Sequence, residues 1–90
     1  MTYSDYIKTL PCLICGKNDV DPHHLKTVGV GRRRELSKWE DYTIIPLYRQ
    51  YHQELHQIGI TKFEDKYKID LFREALFILA KWSYNERNKI

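Results

Sequence analysis

Ninety residues with 42% hydrophobic and 13% aromatic side chains carry more apolar material than a disordered chain does. Lysine and arginine number 15 against 12 acids, so the net charge is only +3; that excess does not establish a nucleic-acid partner, and where the charge sits decides. No apolar run reaches the length of a membrane span, and MTYSDYIKTL lacks the basic start and apolar middle of a secretion signal, so the expected location is the cytoplasm, with no membrane contact.

The length predicts one domain, 1–90, burying roughly 60–65% of its unfolded surface. SDYIKTL reads as a short helix with Ser4 as cap and Tyr6, Ile7 and Leu10 on one side, stopped by Pro11. PCLICGK follows as a tight turn. It holds Cys12 and Cys15, a C-x-x-C pair that in a reducing compartment is a metal knuckle or a redox pair. No βαβ pattern surrounds it, which removes the thioredoxin-like setting. VDPHHL reads as a short extended segment in which a bend or strand end, suggested by Pro22, would let both histidines face one site, and 26–40 as a polar loop loosened by Gly29 and Gly31.

YTIIPL predicts a second strand ended by Pro46. RQYHQELHQI predicts a helix closed by Gly59, with Tyr51, Leu55 and Ile58 on an apolar stripe and His52 and His56 together on the next one. TKFE reads as a capping box, Thr61 with Glu64, opening a short helix. Asp70 caps the last helix, LFREALFILAKWSY, whose expected core face is Phe72, Leu76, Leu79 and Trp82, extended by Leu71 and Ile78. ALFILAKW is apolar on more than one side, so a homodimer through this helix is the expected self-association. The order is helix, knuckle, β, loop, β, then helices: an α+β fold, with a core over about 20–59 and C-terminal helices over about 61–86.

All four histidines fall into two clusters, His23-His24 and His52-x-x-x-His56. An i,i+4 pair on one helical face can grip one cation. A third imidazole firms the grip, and His23 at the strand end can supply it. His24 is then free to take a proton from water near neutral pH. The metal would act on a phosphodiester as a Lewis acid. Arg32, Arg33 and Arg34 in GRRREL can bind backbone phosphates bidentately; as a bare triplet they read equally well as a solvated surface run.

At these residues the chain resembles an HNH (ββα-metal, His-Me finger) endonuclease of the small single-domain phage type. The resemblance runs from LPCLICG through VDPHH and YTIIPLYRQYHQELH to GITKF, about residues 10–63. It implies a ββα-metal core flanked by an N-terminal helix with its knuckle and by C-terminal helices. It implies metal-dependent hydrolysis of DNA, leaving 5′-phosphate and 3′-hydroxyl ends. His24 would be general base, and His23, His52 and His56 ligands of one divalent ion of the Mg, Mn, Ni or Zn group. Proteins of phage packaging or recombination are the partner class that comes with it.

Two positions depart from the family pattern. Thr43 stands where many members carry an asparagine that braces the loop near the base, and is assigned a supporting role. Tyr48 and Tyr51 stand where many carry the second cysteine pair of a structural zinc site. Cys12 and Cys15 are therefore read as a zinc-knuckle remnant, and no second zinc is expected. The competing reading is a non-catalytic, zinc-stabilised nucleic-acid-binding module using Cys12, Cys15 and two histidines. It leaves the adjacent histidine without a task.

Overall fold

A computed structural model describes residues 1–25 and 38–87; the arginine triplet Arg32, Arg33 and Arg34 lies outside them. Helix α1 spans Tyr3–Lys8. Its cap is Thr2, not Ser4. The Asp5 N–H donates to Thr2 Oγ1 at 3.1 Å and the Thr2 N–H to Asp5 Oδ2 at 3.3 Å, a reciprocal box that satisfies two donors where a Ser4 cap would satisfy one. The helix closes at Thr9, whose hydroxyl donates to the Tyr6 carbonyl at 2.6 Å.

Strand β1, Val20–His24, pairs antiparallel with β2, Ile44–Tyr48. Pro22 stands opposite Pro46, and His23 and His24 oppose Ile45 and Ile44. Facing prolines suit a non-hydrogen-bonded pair, because neither has an N–H to give. β1 therefore continues through Pro22 as a regular strand, where a bend was expected. β2 also runs through Pro46 to Tyr48.

A 3-10 turn, Lys38–Thr43, leads into β2. Helix α2, Arg49–Tyr67, follows directly, with Tyr48 at its N-cap position. Gly59 breaks its backbone as expected (φ 83°, ψ 167°), a conformation open essentially to glycine alone. The second half does not start on a Thr61–Glu64 box. Gly59 is the only non-helical residue inside, so Thr61 is already helical, and the Glu64 carboxylate accepts the Leu71 N–H at 2.7 Å instead. Helix α3, Leu71–Arg87, begins on Asp70 as the sequence predicts, with the Arg73 N–H donating to Asp70 Oδ1 at 3.0 Å.

The core lies on both faces of this two-stranded sheet. Ile45 and Leu47 pack with Leu55, Phe63, Leu71 and Ala75; Ile44 packs with Tyr3, Ile7 and Ile78. β2 is buried on both sides, which is why it reads as a continuous apolar run rather than an alternating one. The buried stripe of α3 is Leu71, Ala75 and Ile78, with Leu79 and Trp82 half-buried against it. Phe72 and Leu76, expected in the core, are exposed together with Phe77. On a helix apolar almost all round, periodicity leaves the rotation undetermined and the neighbouring elements choose it. The described residues thus form a small α+β fold. No helix among them is long and apolar enough to cross a membrane.

Candidate metal centre

Strand alternation places Asp21 and His23 on the face of β1 that looks toward α2. α2 answers with Arg49, His52 and His56, spaced i, i+3 and i+7 along one side. His23, His52 and His56 converge. Their ring centroids are 4.8 Å (His23–His52), 4.9 Å (His23–His56) and 4.8 Å (His52–His56) apart. One ligand nitrogen from each lies within 4.8 Å of the others. His52 Nε2 and His56 Nε2 are 3.1 Å apart. Two imidazole nitrogens on one tetrahedral ion, each about 2.0–2.1 Å from it, stand roughly 3.4 Å apart, so the spacing fits a shared cation.

The burial of the three is graded: His23 is 8% exposed, His52 half-buried and His56 exposed. Such a site has a fixed floor and an open mouth, as metal chemistry on an external substrate requires. Asp21 sits behind it. Its Oδ2 lies 3.5 Å from His52 Nδ1 and 3.9 Å from Arg49 Nε. A carboxylate there holds the hydrogen on Nδ1 and leaves the inward Nε2 with its lone pair free for metal. Asp21 and Arg49 were not singled out in the sequence, although the signal was present. Asp21 is two residues from His23 on a strand, and Arg49 three from His52 on a helix.

His24 faces the other way. The expected bend is absent, because β1 keeps its alternation through Pro22; the strand end is present, since His24 is the last residue of β1. The His24 ring is exposed, and its Nε2 lies 2.9 Å from Asp41 Oδ1 of the 3-10 turn. No sequence signal marks Asp41, since only the tertiary path of the turn brings it to the strand.

A family model described as "Protein of unknown function (DUF968)" matches residues 1–82. The chain belongs to the DUF968 family. It is also 43% identical over 65 residues to "Uncharacterized protein YdfU" of Escherichia coli (strain K12). That stretch is 72% of this chain and 18% of the relative, so the chain spans under a fifth of the relative's length. No solved structure matches.

In this DUF968 chain the two expected cysteines fall outside the histidine cluster. Cys12 and Cys15 are free thiols, Cys12 buried and Cys15 exposed, and neither is in the three-ligand group. The turn is knuckle-shaped: the Ile14 N–H donates to Cys12 Sγ at 3.4 Å, and the Gly16 N–H to the Cys12 carbonyl at 2.9 Å. Burial pushes the Cys12 thiol up, but backbone N–H groups of Tyr48, Cys15 and Ile14 outweigh it and hold the thiol below its ordinary value. The binding-module reading needs cysteines and histidines at one point. Among the described residues His23, His52 and His56 meet one another instead. The Thr43 hydroxyl donates to the Glu40 carbonyl at 2.7 Å, bracing the turn that carries Asp41.

Proposed function

We propose that this DUF968 chain is a metal-dependent endonuclease of the HNH type, hydrolysing phosphodiester bonds of DNA. The convergence of His23, His52 and His56 at the mouth of a two-strand-and-helix unit carries the reading. The run β1, β2 and first half of α2 supports a ββα-metal core. The three imidazoles would hold one divalent ion, which when bound supplies positive charge to a non-bridging phosphate oxygen and to the leaving oxygen.

The chain's own residues do the rest. Asp21 orients His52. Arg49, on the metal-facing side of α2 with an exposed side chain, offers a cation for a neighbouring phosphate. His24, exposed as the last residue of β1, is the general base that takes a proton from the attacking water, acting on a phosphate seated across that strand end from the side opposite the metal. Arg32, Arg33 and Arg34 supply further backbone contacts.

The test is nicking of supercoiled plasmid across Mg²⁺, Mn²⁺, Ni²⁺ and Zn²⁺, with His24→Ala beside the native protein. Cleavage with at least one ion is expected, falling by roughly 10²–10⁴-fold in the variant, the usual worth of a positioned acid–base group. Native protein inert on single-stranded, duplex and branched DNA with every ion would overturn the reading.

A further inference from the structure

We infer that Asp41 is the positioning residue for His24 and fixes Nδ1 as the atom that receives the proton, an inference that rests on the nuclease reading. A neutral imidazole has one N–H and one lone pair, and either nitrogen can carry the hydrogen. On an exposed strand end, with a broad terminal torsion, both the tautomer and the ring angle are loose. Asp41 removes both freedoms. Its carboxylate accepts and has no hydrogen to give, so at 2.9 Å from Nε2 it requires the hydrogen on that nitrogen. The lone pair is then on Nδ1.

The carboxylate is itself held. In the strand register His24 opposes Ile44, and Asp41 lies three residues before Ile44, in the turn that leads into β2. Its two flanks are tied down. Thr43 Oγ1 donates to the Glu40 carbonyl at 2.7 Å, and the Tyr42 ring stacks on the buried Tyr3 ring with centroids 5.3 Å apart. An anchored turn aims the acceptor before substrate arrives, as a positioning group must.

The proton step balances. Water loses a proton to Nδ1 as its oxygen bonds phosphorus. The P–O3′ bond breaks with its electron pair on the 3′ oxygen, and a solvent proton completes the alcohol. The imidazolium formed shares its charge with Asp41 through Nε2–H and returns the proton from Nδ1 to solvent. Asp41 touches no reacting atom.

The experiment combines kinetics with ring spectroscopy on the full chain. Asp41→Ala is expected to lower kcat by about 10–100-fold and to leave KM within about twofold. In a His24→Ala background the same substitution should change the residual rate by less than about twofold, because the residue it serves is gone. Equal losses in both backgrounds, or an effect on KM alone, would overturn the assignment. Ring ¹⁵N–¹H spectra give a readout free of cleavage: Asp41→Ala should move the His24 Nε2 resonance and leave the His23 ring unmoved. An unmoved His24 ring overturns the hydrogen bond itself. Native protein that cleaves nothing overturns the nuclease reading and the rate claim with it, and the spectra still report whether Asp41 holds the ring.

Discussion

The Tyr3 hydroxyl is buried without a hydrogen-bond partner among the described residues, inside a ring cluster with Tyr6, Tyr42 and Trp82. Burial, reinforced by Tyr6, pushes its phenol up to about 12. A buried donor left unmade costs about 1–3 kcal/mol, so Tyr3→Phe should raise stability by about 1 kcal/mol in urea unfolding. The pH sign follows from linkage. Between the ordinary value of 10.0 and about 12 the unfolded chain has lost a proton that the folded chain keeps. Stability therefore falls across that window by up to about 1.4 kcal/mol per pH unit, and Tyr3→Phe should flatten the fall. At the metal centre, Asp21→Ala should weaken divalent-ion binding by about 10–100-fold, the usual worth of a carboxylate behind a metal-binding imidazole, with the fold intact by circular dichroism. Unchanged affinity would show that His52 keeps its orientation without Asp21.

Helix α2 is bent at Gly59 and clamped across the bend. Glu54, in the first half, accepts from Lys66 Nζ and Tyr67 Oη in the second. The Lys66 and Tyr67 bonds hold the Glu54 carboxyl below its ordinary value. With the folded value depressed, the clamp is intact above the unfolded value and is lost as pH falls through the folded one. Gly59→Ala should destabilise by about 1–3 kcal/mol, because a Cβ is strained at φ 83° although nothing crowds it. At Lys68, left-handed at φ 52°, the reverse change applies: Lys68→Gly should stabilise by up to about 1 kcal/mol, read as a higher midpoint in the same urea titration. The bend itself was legible, since glycine ended an apolar stripe. So were the strand pair, the histidine stripe of α2 and the Asp70 cap, each set by local periodicity or capping chemistry. The face of α3 was not, since a helix apolar nearly all round takes its rotation from what it packs against. Asp41 was not legible either, because a turn's return path is a tertiary fact.

At the scale of the whole molecule, the described groups proposed for cleavage lie on two sides of β1. The imidazole triad and Arg49 share one side of the sheet, and His24 with Asp41 lies across the strand from them. Replacing Arg32, Arg33 and Arg34 together should weaken DNA binding for all sequences and flatten its salt dependence by up to ~0.9 slope units for each duplex phosphate no longer neutralised. An unchanged slope returns the triplet to a solvated surface run. Phe72, Leu76 and Phe77 of α3 are exposed, the surface that the homodimer expected from the sequence would bury; sedimentation of Leu76→Asp beside the native chain tests it, a native dimer made monomeric being the expected result. Everything proposed for cleavage depends on three imidazoles acting as one ligand set. Calorimetric titration with Mn²⁺ or Zn²⁺ of the native chain and of His56→Ala reads that directly. One ion per chain is expected, with binding weakened about tenfold or more when His56 is removed. Equal affinity in both proteins, or no ion bound by the native chain, would contradict it.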